Sequence, residues 1–341
     1  MNLLSTAVLA LLFLSCLPAC TGRYEADNPE QKIAAYSRAI EANPQDEQAY
    51  LNRGSGYLGK KEWDRAIDDF TEALKLNPKE AIGYLNRGQA YASKKDWDLA
   101  IKDYNQAFEL NPENAQICYY RGYAHGQQKG WDLAIQDYTR ALEINPGYGK
   151  VYYNRGYAYY YKNDWDRAIA DFDQALKLNP KDAKLYNCRG YAYYCQGYWW
   201  RAVADYEKAV ELDPEYAHAY YSRGHLYNWL WDLDRAIADF NRVLEIDPKY
   251  KHAHHSRGLA HYRRRDFDLA LADWNQALKL DPQNSQVLYL KAELLDKYGP
   301  NNEALEAYRS FLQYAEKEPQ EDTEEKDHIE YARKRIKVLG K

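Results

Sequence analysis

Eight prolines, Pro44, Pro78, Pro112, Pro146, Pro180, Pro214, Pro248 and Pro282, stand 34 residues apart, each directly after an Asn or Asp. A fixed period of this size means that one short supersecondary unit is stacked on copies of itself, because a single unit cannot bury its own apolar face. The usual domain size of about 150 residues would divide the chain into two globular domains. The period replaces that reading with a one-dimensional array. With Glu47 as position 1, position 8 is glycine from Gly54 to Gly258 and position 20 is alanine from Ala66 to Ala270. In the first seven repeats position 24 is always a ring, from Phe70 to Trp274, and position 27 is alanine except for Val243. Small residues facing a ring at fixed offsets are what two closely packed helices need.

This pattern resembles the tetratricopeptide repeat (TPR) in its length and in its small and aromatic positions. The resemblance implies an all-α fold, a right-handed TPR superhelical solenoid of helix-turn-helix repeats with a C-terminal capping helix. Eight repeats of 34 residues fill 47–318, after a signal peptide at 1–19 and a linker with an N-terminal half repeat at 20–46. Asn28, Pro29 and Gln31 form a helix start for that half repeat. The capping helix occupies 319–341, opened by Asp322 and Glu325 and carrying an apolar stripe of Ile329, Ala332, Ile336 and Leu339. Position 7 departs from the family's usual leucine: it is arginine from Arg53 to Arg257, matched by aspartate at position 23 from Asp69 to Asp273. Repeat eight has Lys291 and Ala307 there, so both partners vanish together. We expect one Arg–Asp ion pair in each of the first seven repeats.

Residues 3–17 are almost continuously apolar, a length suited to a signal-peptide core and short of the roughly 20 residues that span a bilayer. Leu17-Pro18-Ala19-Cys20 resembles the lipobox of bacterial lipoproteins, which implies a lipid on Cys20. An ordinary secretory signal and an uncleaved anchor are the other readings. All three place the protein outside the cytoplasm, and the lipoprotein reading anchors it to a membrane of the bacterial cell envelope.

Charges nearly balance, 46 Lys and Arg against 51 Asp and Glu, without the basic surplus of a nucleic-acid binder. Five cysteines imply no disulfide framework. Gly54-Ser55-Gly56-Tyr57-Leu58-Gly59 fits a dinucleotide-binding string, but lies inside a helix rather than between strand and helix. His254 and His261 stand where other repeats put core tyrosine, and the groove-facing His218, His225, His252 and His255 lack ligand spacing of quality. We therefore expect no enzyme, no cofactor and no metal.

The resemblance implies that A-helix positions 2, 5, 6, 9, 12 and 13 line a concave channel that takes an extended peptide or a helix. Thirty-five tyrosines give that channel its character. They gather in repeats three to six: Tyr119, Tyr120 and Tyr123, then Tyr153, Asn154, Tyr157, Tyr160 and Tyr161, then Tyr191 and Tyr194, then Tyr221 with His225 and Trp229. Repeats one and two carry Leu51, Ser55, Leu85 and Gln89 instead. Tyrosine offers large contact area with few torsions to freeze and a hydroxyl that donates or accepts. The expected function is a scaffold or adaptor for a protein partner. The alternative is a small-ligand or glycan-binding protein using the same channel.

Overall fold

The computed structural model describes residues 29–316 and 323–340, which form α-helices joined by short turns. The signal segment, Cys20, Asn28 and Asp322 lie outside the described residues. The chain divides into two compact units between Asn145 and Pro146. The first holds α1 (Pro29–Ala42), α2 (Glu47–Gly59), α3 (Trp63–Leu76), α4 (Ala81–Ser93), α5 (Trp97–Leu110), α6 (Ala115–Gln127) and α7 (Trp131–Ile144). The second begins with α8 (Gly149–Tyr161), α9 (Trp165–Leu178), α10 (Ala183–Cys195), α11 (Trp199–Leu212), α12 (Ala217–Trp229) and α13 (Leu233–Ile246). It continues with α14 (Lys251–Arg264), α15 (Phe267–Leu280), α16 (Ser285–Tyr298), α17 (Asn301–Ala315) and α18 (Thr323–Leu339).

Each 34-residue period supplies one antiparallel hairpin, helix A then helix B, and the packing follows the small and large positions. A Cβ added to Gly88 would sit 2.6 Å from the Tyr104 ring, and one on Gly258 would sit 2.6 Å from Trp274. Only glycine lets the A backbone approach so closely, and the ring then fills the gap completely: Phe70, Phe172, Phe240 and Trp274 are fully buried. Between helix A and helix B the chain reverses through a left-handed residue, Lys61, Lys95, Lys129, Asn163, Trp231 or Arg265, with Gly197 in the fifth repeat. Neighbouring A helices also touch, α2 with α4 and α4 with α6 in the first unit, α10 with α12 and α12 with α14 in the second. The A helices thus lie on the inner side of each unit.

All seven expected Arg–Asp pairs form, and they are bidentate. In the fourth repeat Arg155 Nε and Nη2 each lie 2.8 Å from an oxygen of Asp171. The aspartates are nearly sealed from water, and the arginines partly so. The guanidinium has a further nitrogen, and position 25 of the preceding repeat receives it. Arg53 reaches Ser37 Oγ at 3.2 Å, Arg87 reaches Thr71 Oγ1 at 3.1 Å and Arg121 reaches Asn105 Oδ1 at 3.0 Å. In the second unit Arg189 reaches Asp173 at 2.6 Å and Arg257 reaches Asn241 at 2.7 Å. One side chain therefore closes its own hairpin and stitches it to the previous one.

The eighth repeat, which has lost its pair, is closed by α18. Ile329 and Ala332 are buried against α16 and α17, with Ile336 and Leu339 packed alongside. Arg335 lays both Nε and Nη2 2.6 Å from Asp296, whose second partner is the Tyr308 hydroxyl at 3.1 Å. The cap is thus pinned by charge as well as by its apolar stripe.

Candidate functional site

The expected binding residues are divided between the two units. In the first unit α6 carries Tyr119, Tyr120 and Tyr123. Tyr119 is buried, its ring 5.1 Å from Tyr120 and 6.3 Å from Tyr138, so it supports the wall rather than presenting itself. Tyr120 and Tyr123 are half-buried, with Tyr123 set edge-on to Trp97 at 6.2 Å.

In the second unit the rings form one continuous line across α8, α10, α12 and the turn before α14. Tyr153 meets Tyr157 at 5.9 Å, Tyr157 stacks on Tyr160 at 5.4 Å, and Tyr160 meets Tyr191 at 5.3 Å across to the next A helix. Tyr191 continues to Tyr194 at 5.8 Å, Tyr194 to His225 at 6.4 Å, and His225 to Tyr221 at 6.2 Å. Tyr161 stands edge-on to Tyr157 at 5.1 Å. Burial pushes the hydroxyl pKa of Tyr157, Tyr160 and Tyr191 up, so all three are neutral donors at physiological pH. Tyr160 is buried within the line, whereas Tyr153, Tyr157, Tyr161, Tyr191, Tyr194, Tyr221 and His225 are half-buried.

Two expected residues behave differently. Asn154 donates its amide to the Lys150 carbonyl of its own helix at 2.7 Å, which turns that group toward its own backbone. Trp229 ends α12 and lies against Trp199 at 4.3 Å, at the turn edge rather than in the line of tyrosines.

Tyr250 and Tyr216 also belong to the face and were missed in the sequence, which placed His218 on the groove side without counting it among the binding residues. Tyr250 lies 5.2 Å from Tyr221, and its hydroxyl is 2.9 Å from His218 Nδ1. A signal was there: position 34 is an N-cap Asp, Glu or Asn at Asp46, Glu80, Asn114, Asp182 and Asn284, but tyrosine at Tyr148, Tyr216 and Tyr250. Those three tyrosines make no capping hydrogen bond. At Tyr216 and Tyr250 the cap is given up where a ring joins the face.

Burial pushes His218, His225 and His255 down to a pKa of about 4, so they are neutral at pH 7. The Nε2 atoms of His252 and His255 are buried without a hydrogen-bond partner. Among the described residues no three His, Cys, Asp or Glu side chains are placed to share a metal ion. His254 is packed against Asp273, with Nδ1 3.3 Å from its carboxylate. A pocket of about 660 Å³ opens in the first unit between α5, α6 and α7, lined by Phe108, Arg121, His125, Leu133 and Arg140 among others. It contains none of the expected tyrosines.

Models of the tetratricopeptide repeat match residues 47–80, 81–114, 137–170, 217–250 and 252–284, and a TPR repeat model matches 156–197 and 192–228. No curated protein sequence matches the chain. Among solved structures, the C-terminal part of a TPR repeat-containing protein from Cytophaga hutchinsonii is 23% identical with a TM-score of 0.58. That match covers 70% of this chain and 98% of that one. A tetratricopeptide repeat protein from Parabacteroides merdae is 25% identical with a TM-score of 0.51, covering 68% of this chain and 90% of that one. The Cut9–Hcn1 hetero-tetramer of the APC/C matches at 17% identity and a TM-score of 0.56, over 79% of this chain and 53% of that one. These likenesses speak for the fold.

Proposed function

Since this chain is a tetratricopeptide-repeat protein, we propose that it is a non-enzymatic scaffold or adaptor that holds a partner protein at the bacterial cell envelope. The partner segment, an extended peptide or a helix, lies along the A-helix face of the second unit. The lipid expected on Cys20 ties the chain to a membrane. The observation that carries the reading is the unbroken line of rings from Tyr153 to Tyr221, each within 6.5 Å of the next and most of them half-buried. Rings already held by their neighbours lose little freedom when a partner lands on them, which lowers the entropic cost of association. Neutral hydroxyls along the line can pair with the backbone of an extended segment.

The test is a crosslinked-envelope pull-down with the wild type and a Tyr157→Ala, Tyr191→Ala double variant. A hot spot of this kind should cost about 2 kcal/mol or more of partner affinity in a variant that still folds. If the folded double variant captures the same partners as the wild type, the face is not the binding site. The second reading, a small-ligand or glycan-binding protein, uses the same channel, and the 660 Å³ pocket of the first unit does not speak for it because it holds none of these tyrosines. If the rings only pack on one another, the tyrosine variant loses thermal stability more than binding.

A further inference from the structure

The turn between helix A and helix B carries a repeating polar link. A Lys, Gln or Arg at position 14 reaches back to the Asp at position 18 of the preceding repeat. Lys94 meets Asp64 at 2.6 Å and Gln128 meets Asp98 at 2.6 Å in the first unit. Gln196 meets Asp166 at 2.6 Å and Arg264 meets Asp234 at 2.8 Å in the second. Between repeats five and six both partners change at once, to Trp200 and Leu230. Neighbouring positions change with them: Tyr198 stands where the rest of the first seven repeats carry Asp, Glu or Gly, and Trp229 and Trp231 flank Leu230, whereas Trp199 is the ring that Trp63, Trp97, Trp131 and Trp165 also supply at position 17.

The result is an aromatic edge that the fold does not need. Trp200 is 70% exposed and Trp231 is 67% exposed, with Tyr198, Trp199 and Trp229 exposed beside them. Trp231 sits in a left-handed backbone, φ 64°, where the first three repeats place lysine and the fifth glycine. A bulky residue is disfavoured there, and nothing in the packing of the repeat asks for one. Next along the same edge, repeat seven reads Arg263-Arg264-Arg265. The Arg263 guanidinium lies 5.2 Å from the Trp231 ring while Nη1 donates to Asn228 O at 2.6 Å. Arg201 sits 5.3 Å from the Tyr198 ring, and Arg265 is exposed at the turn. Three of the carboxylates nearby are already engaged, Asp232 by Arg235, and Asp234 and Asp266 by Arg264. Five arginines, at 201, 235, 263, 264 and 265, stand against four aspartates, at 232, 234, 266 and 268.

We propose that this edge of repeats five to seven is an interfacial docking surface for an anionic lipid bilayer, with Trp200 and Trp231 entering the headgroup layer and Arg201, Arg263 and Arg265 facing its phosphates. Indole has an apolar body and one N–H, which suits the boundary between water and acyl chains. The arginine surplus supplies the attraction to a negative leaflet. Trp231 projects from the turn and Trp200 from the first turn of α11, and a deformable lipid surface accepts projections where a protein partner would need matching hollows. The surface requires neither the lipid on Cys20 nor the tyrosine face.

The test uses the full chain and a Trp200→Asp, Trp231→Lys variant, which restores residues that other repeats carry at these positions. Both proteins are mixed with vesicles of phosphatidylcholine, or of phosphatidylcholine and phosphatidylglycerol, with brominated acyl chains that quench tryptophan on contact. The apolar segment 3–17 is common to both proteins, so its own binding cancels and cannot be mistaken for that of the edge. Wild-type fluorescence should be quenched on the anionic vesicles, and that quenching should disappear in the variant with its seven remaining tryptophans. Arg201→Gln with Arg265→Gln should lower the anionic-vesicle quenching and leave the neutral-vesicle signal unchanged. Equal quenching of wild type and variant overturns the proposal. So does a wild type that dimerises in lipid-free buffer while the variant is monomeric and neither is quenched, which would assign the edge to a second copy of the chain.

Discussion

Replacing Arg155 with leucine probes the most regular polar feature of the array. Asp171 is 4% exposed and receives two guanidinium hydrogen bonds of 2.8 Å. Burial still outweighs those bonds, because the Asp171 carboxyl is held above its ordinary pKa by desolvation against the opposing pull of Arg155. The intact pair is therefore close to break-even, whereas a lone carboxylate in the same place is not. Arg155→Leu should destabilise the fourth repeat by about 3–5 kcal/mol at pH 7. In a quasi-one-dimensional array the damage is local, so amide hydrogen exchange across residues 149–178 is the assay of choice. The expected loss corresponds to roughly two to four decades of protection. The deficit should shrink as pH falls toward 4, since a folded state whose carboxyl binds its proton more readily than the unfolded chain gains stability on acidification. Adding Asp171→Leu should recover most of the loss, as two leucines need no partner. Strictly additive single and double variants, or a deficit independent of pH, would refute the reasoning.

The histidines of repeats six and seven give the opposite pH dependence. With folded pKa values near 4 for His218, His225 and His255 against an ordinary 6.5, the folded state binds fewer protons than the unfolded chain in that window. Their contribution is complete above pH 6.5 and is lost as pH falls to about 4. The melting temperature should drop across this range, and His225→Asn with His255→Asn should flatten the drop; a variant that follows the wild-type curve refutes the assignment. For attachment, exported wild-type protein should partition into the detergent phase and Cys20→Ala into the aqueous phase, with recovery of soluble wild type as the contrary result.

The sequence by itself determined what recurs. The 34-residue period, the glycine against the ring, and the arginine against the aspartate sixteen residues on all lie within one hairpin and are written out seven times. A contact at constant separation leaves a constant trace. The apolar stripe of α18 was equally legible, because an amphipathic helix records its own buried face. What occurs once leaves no such trace. The Arg335–Asp296 pair joins residues 39 apart through two unrelated helices, and only their docking brings them together. The stitch from arginine to position 25 of the preceding repeat has variable acceptors, Ser37, Thr71, Asn105 or Asp173, so no single residue type announces it. Nor could spacing separate buried Tyr119 and Tyr160 from half-buried Tyr123 and Tyr191, all on the same helix face. Their exposure is settled by which neighbouring ring each one meets. Periodicity fixes the backbone address of a side chain; the packing of the next element decides how much of it water can reach.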